Sequence, residues 1–324
     1  MTEHVIMFSA GGGSWAAGRR VVERHGPENV RLLFTDTLYE DADGYRFLIE
    51  GAANILGRRL DWPVPRAGEF PDYRVGLDTP IEDYCGNPAW RAALADLRAR
   101  AETAIPELVW IVEGRDPWEV YRDERLLGNS RLDPCSKILK RQMADRWLRD
   151  NCQPESTVVY VGIDWTEKHR FDDDAGGGLR PRRAVQGWKY EAPLCEPPWV
   201  WKPGIVGEMR AQGIAAPRQY AKGYTHNNCG GFCCKAGHAH YANRLRVDPE
   251  RFAYDKAMEE KIRTFLGHPY SMMTTRAGGE GKRTLTLADF EVQLATNSAG
   301  QLDLDDWGGC GCFVDDPAEV IHAD

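Results

Sequence analysis

Residues 6–15 read IMFSAGGGSW, and the stretch SAGGGS at 9–14 decides how the first half of the chain folds. The apolar run at 5–8 has the length and content of a buried strand. Three glycines form a turn, and Ser14 opens a helix whose Ala17, Val21 and Val22 share one side. That helix is expected to stop at His25, because Gly26-Pro27 cannot continue it. Glycine at 11, 12 and 13 lets the backbone come close to an anion, and a helix N-terminus supplies free N–H groups and the positive end of a dipole. The turn has the spacing of neither a Walker A loop nor G-x-G-x-x-G. A glycine-rich turn of this kind also occurs for structural reasons alone, so the rest of the chain has to decide.

Outward from the turn, NVRLLFTDT at 29–37 reads as a second strand and 43–56 as a helix. Apolar runs at 107–112 and 157–164 have strand length, and 136–149 between them has the spacing of an amphipathic helix. KYEAPL at 189–194 is a further strand candidate, and 202–214 a short helix. Strands alternating with helices predict an α/β fold with a parallel sheet. From residue 215 glycine, cysteine and histidine crowd together. A helix at 249–267, a hairpin-like tract and WGGCGCFVDD follow. The expected organisation is therefore an α/β domain at 1–214 and a Cys/Gly-rich subdomain at 215–324.

The 324 residues carry a net charge of −8, 42% hydrophobic residues and nine cysteines. The acidic balance argues against a protein coated for nonspecific duplex binding. RPRRAVQGWK at 180–189 is locally basic and reads either as a footing for nucleic acid or as a solvated loop. No apolar run reaches the roughly 20 residues of a membrane helix, and the N-terminus lacks the features of a signal peptide. A cytoplasmic protein with no membrane partner is expected, in which clustered cysteines read first as metal ligands or redox groups.

IMFSAGGGSWAAGRRV is similar to the pyrophosphate loop, SGGxDS, of the adenine nucleotide alpha hydrolase (PP-loop) superfamily, with Ser9, Gly11 and Ser14 on the matching positions. Three further blocks follow in the order of its PAPS-reductase-like branch. LFTDTLYEDADGYRFL (33–48) resembles the DTG…PET segment. DPCSKILKRQMADRW (133–147) resembles the C…LK…P…W block, matching Cys135 and Lys140. YVGIDWTEKHR (160–170) resembles the later glycine block, matching Gly162, Glu167 and Arg170. The resemblance spans residues 5–170 and implies a Rossmann-like (HUP-type) open parallel sheet with ATP, or a PAPS-like nucleotide, across the carboxyl ends of its strands. The chain departs from the pattern at Gly12 and Gly13, where the superfamily loop carries lysine or an equivalent and aspartate. It also lacks an arginine two residues past Gly162. The loss of the aspartate removes one candidate for placing Mg²⁺, for which Asp36 or Asp41 are alternatives.

The resemblance implies nucleotide contacts at Ser9, Ala10, Gly11, Gly12, Gly13, Ser14, Asp36, Thr37, Lys137, Gly162 and Arg170, and catalytic roles for Cys135, Lys140 and Glu167. Lys137 and Arg141 are four apart on one expected helix face, with Lys140 beside it. That face either stabilises charge on a leaving group or is solvated. Glu167 and Arg170 are site residues or a surface ion pair. Cys135, at a helix start near two lysines, has the setting of a lowered-pKa nucleophile or persulfide carrier.

Two glycine-flanked cysteine groups, NNCGGFCC and GGCGCF, suggest a four-thiolate site made of Cys229, Cys233, Cys310 and Cys312, holding Zn²⁺ or a 4Fe-4S cluster. His226, His238 or His240 are possible substitutes for a thiolate, Cys135 or Cys234 possible additions, and buried free thiols the alternative.

Taken together, these readings predict an ATP pyrophosphatase that adenylates an acceptor for sulfur transfer or nucleobase modification. The acceptor would be a nucleic acid or a small molecule, with a sulfur-donor protein as a further partner. The alternatives are a PAPS or APS reductase, against which the PAEVIHAD tail speaks, and a nucleotide-binding module that has lost catalysis, with a structural metal site.

Overall fold

The computed structural model describes residues 2–172, 178–275, 281, 283–296 and 302–308. Five strands form one parallel sheet in the order β3-β2-β1-β4-β5. They are β1 (Glu3–Met7), β2 (Val30–Asp36), β3 (Leu108–Val112), β4 (Thr157–Tyr160) and β5 (Lys189–Glu191). In register, Ile6 faces Leu32 on one side and Tyr160 on the other.

Alternation along the strands divides the core into two layers, as expected for a sheet covered on both faces. Ile6, Phe8, Leu32, Phe34 and Trp110 point to one face, and Val5, Met7, Leu33, Val159 and Val161 to the other. The first face is covered by helices α1 (Gly12–His25), α2 (Ala42–Ile55) and α3 (Pro88–Ala104), the last not singled out by the sequence. A short helix α4 (Pro117–Asp123) follows β3. The second face is covered by α5 (Met143–Asn151) and α6 (Leu179–Val185) through Ala144, Leu148 and Leu179.

The helix expected at 136–149 is not continuous. A turn at Pro134–Ser136 leads into a π-helical segment, Lys137–Gln142, before α5 begins. A π turn holds more residues than an α turn, so the expected face is re-phased. Lys140 and Arg141 turn inward together while Lys137 stays exposed.

Helix α7 (Lys202–Ala211) lies where the sequence places it. Beyond it come α8 (His238–Val247), α9 (Pro249–Leu266) with left-handed Gly267 (φ 66°) as its cap, a small antiparallel pair β6 (Met273–Thr275) and β7 (Arg283–Leu285), and α10 (Leu287–Ala295). Phe232, Tyr241, Phe252 and Met258 from this region share the core layer of Phe8 and Phe34. One ionic clamp and the Tyr39 hydroxyl, which donates to Asp255 at 3.0 Å, hold it there, and a second ion pair braces it from within. Asp41, wholly buried at the start of α2, pairs with Arg218 at 2.8 Å and Arg251 at 3.0 Å. Arg244 and Asp255, both fully buried, pair at 2.6 Å.

Candidate functional site

The chain runs from β1 to β2 and β3 on one side, then returns to β4 on the other, so β1 and β4 flank the switch point of the sheet. A crevice of about 530 Å³ opens there, outside the strands' carboxyl ends, where α/β folds hold ligands. Its walls include Ser9, Gly11, Gly12, Gly13 and Ser14 from the first turn and Gly162, Asp164, Glu167 and Arg170 from the loop after β4.

The two loops touch through glycine. A Cβ on Gly13 would lie 2.6 Å from the Gly162 carbonyl oxygen, and one on Gly162 would lie 2.5 Å from the Ser14 nitrogen. Neither position has room for a side chain, so the glycine at 13 is a packing requirement in this chain. Ser14 ties the turn together: its Oγ accepts from the Gly11 N–H at 3.3 Å and donates to the Gly11 carbonyl at 3.0 Å. The Gly12 N–H donates to Tyr220 Oη at 2.7 Å. The N–H groups of Gly13 and Ser14 donate to no described residue, and they lie in the first turn of α1, where the helix dipole favours an anion. Ala10 adopts a left-handed φ of 54°, and its carbonyl accepts from Asn227 Nδ2 at 2.8 Å.

Cations reach the crevice from two sides. Arg170 pairs with Glu167 at 2.8 Å, and both line the wall. Lys202, at the start of α7, lines it too and forms no ion pair with a described residue. Tyr220, Tyr224, His226 and Asn227 close the far side. Burial pushes the His226 imidazole down to about 3, helped by His240, Lys140, Lys202 and Arg170, so the ring is neutral at neutral pH. His226 Nδ1 and Asn227 Oδ1 are buried without a hydrogen-bond partner. Unpartnered polar atoms facing a cavity are places where a ligand is recognised.

Several sequence candidates lie elsewhere. Asp36 points into the core, where its carboxylate accepts from the Leu38 N–H at 2.8 Å, Tyr45 Oη at 2.7 Å and Trp110 Nε1 at 2.9 Å. Asp41 is committed to its two arginines. Neither is available for Mg²⁺ as expected; the crevice's own carboxylates are Asp164 and Glu167. Thr37 Oγ1 donates to Glu40 at 3.3 Å, and Lys140, 3% exposed, pairs with the same Glu40 oxygen at 3.3 Å. Arg141 is held bidentate by Asp133 at 3.1 and 3.2 Å. None of Lys137, Lys140 and Arg141 lines the crevice, so the expected cationic face toward it is absent.

Cys135 lies outside the crevice lining, its Sγ 3.2 Å from Tyr121 Oη. A hydrogen bond from the Cys234 thiol, with a second from Tyr121, holds the Cys135 thiol below its usual range. Lys140 adds to that effect, but the lysine and helix-start setting read from the sequence is secondary. Cys229, in a left-handed conformation at φ 51°, donates its N–H to Glu40. Cys310 and Cys312 lie outside the described residues. Among the described residues no three His, Cys, Asp or Glu side chains gather as metal ligands. His238 is engaged at both nitrogens, by the Thr274 carbonyl and the Asp303 N–H, and His240 Nε2 by the Gly231 carbonyl. Cys229 and Cys233 are the described half of the expected thiolate set, and among the described residues no third ligand joins them.

The basic run is largely neutralised. Arg183 is buried against Asp145 at 2.8 Å, Arg180 pairs with Asp172, and Lys189 pairs with Glu191 at 2.7 Å. Sequence reasoning missed Lys202, Tyr220 and Asn227, because no local pattern marks a residue brought in from 200 positions away. No helix among the described residues is long and apolar enough to cross a membrane. No protein-family model matches this sequence, and a search of curated proteins finds none similar to it.

Proposed function

We propose that the protein binds ATP with its phosphates on the 11–14 turn and transfers the adenylyl group to an acceptor, releasing pyrophosphate. The observation that carries this reading is the first turn of α1: two N–H groups that donate to no described residue, at the sheet's switch point, with Lys202 and Arg170 lining the same crevice. That arrangement suits a polyphosphate chain. Backbone N–H groups hold its oxygens, and fixed cations offset the charge that builds on the departing pyrophosphate. An acceptor oxygen attacks the α-phosphorus, the bond to the β-phosphate bridging oxygen breaks, and pyrophosphate leaves with the electron pair. Mg²⁺ would come with the nucleotide as part of the substrate; Asp164 and Glu167 are the carboxylates that line the crevice. A nucleophile, sulfur in the reading the resemblance favours, then displaces AMP from the acceptor.

The tight Gly13–Gly162 contact, which leaves no space for a loop carboxylate, favours as second reading a module that binds the nucleotide without cleaving it. Calorimetry with ATP and Mg²⁺, alongside a pyrophosphate-release assay with candidate acceptors, tests both. Binding with release supports the first reading, and binding without release the second. Absence of binding overturns both.

A further inference from the structure

Beside the mouth of the crevice, three indoles stand together. The Trp165 ring centroid is 4.6 Å from that of Trp201 and 6.0 Å from that of Trp199. Trp199 and Trp201 are 55% and 62% exposed, a large cost in exposed apolar surface for side chains that globular proteins mostly bury.

The platform is built rather than loose. Trp165 Nε1 donates to the Val200 carbonyl at 3.3 Å. Arg20, on α1, holds the preceding loop by donating to the carbonyls of Pro193 at 2.7 Å, Glu196 at 2.9 Å, and Pro198. The rings are therefore fixed to the same helix whose N-terminus forms the anion turn.

They also adjoin the crevice in sequence on both sides. Asp164 and Glu167 flank Trp165, and Lys202 follows Trp201; all three line the crevice wall. Lys168 and Lys202, one next to each half of the cluster, form no ion pair with a described residue. The Trp201 ring meets Trp165 edge-to-face at 83° and Trp199 tilts from Trp165 by 54°, leaving Trp199 and Trp201 exposed. Exposed indoles next to ammonium groups that pair with no described residue match a ligand that alternates planar bases with phosphates. A duplex, whose bases are already stacked, offers no such faces.

We propose that the Trp165–Trp199–Trp201 platform binds unpaired bases of a single-stranded polynucleotide, with Lys168 and Lys202 on its phosphates, and so presents a nucleobase acceptor to the crevice. The inference rests on the adenylyl-transfer reading for the acceptor role, but the binding surface stands on its own geometry. It replaces the 180–189 run, whose Arg180, Arg183 and Lys189 are ion-paired, as the footing for nucleic acid.

The test uses the full chain and short fluorescein-labelled homopolymers of deoxythymidine and uridine, with the matching duplexes, read by anisotropy across a salt series. Single strands are expected to bind more tightly than duplexes, with affinity falling as salt rises. Trp199→Ala and Trp201→Ala should each weaken binding about fivefold or more, and Trp201→Phe, which keeps a π-face, should recover most of it. Lys168→Ala should make the salt dependence shallower by about one phosphate contact. ATP binding to the same tryptophan variants, measured by calorimetry, should be unchanged. Equal affinity for duplex, no loss in either tryptophan variant, or a dimer that dissociates when Trp199 is replaced would each overturn the platform. Loss of ATP binding in the unaltered protein would overturn the adenylyl-transfer reading while leaving the polynucleotide result intact.

Discussion

Gly13 stands where the loops it resembles carry an acidic side chain, and its surroundings explain the difference. An alanine Cβ would sit 2.6 Å from the Gly162 carbonyl oxygen, a backbone atom that cannot swing away. Gly13→Ala should therefore push α1 off the β4 loop, lowering stability by about 1–3 kcal/mol and abolishing nucleotide binding, read by thermal melting and calorimetry. Tyr220 gives a prediction with opposite signs. Its hydroxyl satisfies the Gly12 N–H, so Tyr220→Phe strands that donor and should cost the free protein about 1–3 kcal/mol. A phosphate oxygen can take the vacated place, so the same variant should bind ATP more tightly and recover its melting temperature when ATP is saturating.

The π-helical segment Lys137–Gln142 shows how an element decides what its residues can do. Its wide turn directs Lys140 to Glu40 and Arg141 to Asp133, both pairs almost wholly buried. A buried charge stripped of its partner is costly, whereas replacing both members with apolar groups is often nearly neutral. Lys140→Met alone should therefore destabilise by about 3–5 kcal/mol. Adding Glu40→Gln removes the unpaired charge and keeps an oxygen for the Thr37 hydroxyl and the Cys229 N–H, so it should recover part of that loss, as denaturant melts would show. A catalytic lysine would behave differently: Lys140→Arg would then lose activity at unchanged stability. Glu40 also receives the Cys229 N–H, so this pair couples the π segment to the cysteine-rich loop.

At the scale of the whole molecule, buried imidazoles and buried carboxyls act on pH-dependent stability with opposite signs. His226 at about 3 and His240 at about 4 stay neutral in the fold and add stability as pH rises toward 6.5, whereas three carboxyls do the reverse. Burial pushes the Asp36 and Asp116 carboxyls up to about 6 and Glu259 up to about 7, against ordinary values of 3.8 and 4.5. Between those limits the folded chain holds protons that the unfolded chain has released. Stability contributed by these groups is complete below about pH 4 and lost as pH rises through 6 to 7. Asp116→Asn should flatten that slope while keeping the fold. Its oxygen can still accept from the Trp118 and Glu119 N–H groups, and its amide can donate to Tyr84 Oη, which now donates to Asp116. Urea midpoints from pH 4 to 8 for the two proteins check this.

The first half of the fold was legible because its signals are local. Continuous apolar runs at 5–8 and 32–34, glycines at 11–13 and the Gly26-Pro27 stop each act within a few residues, and strand, helix and parallel order follow from them. The glycine turn was legible for the same reason, as was the placing of Gly162, Glu167 and Arg170, which a strand end brings to the crevice. Tertiary structure alone decided the rest. Asp36, which sits at a strand end like a site residue, was turned inward by Tyr45 and Trp110. A π turn re-phased Lys137, Lys140 and Arg141. Cys135 was matched with Cys234 and Tyr121, while Lys202, Tyr220 and Asn227 were carried to the turn by a segment clamped on Asp41. Periodicity and turn chemistry depend on neighbours in sequence, but side-chain direction and long-range pairing depend on which surfaces meet when the layers close.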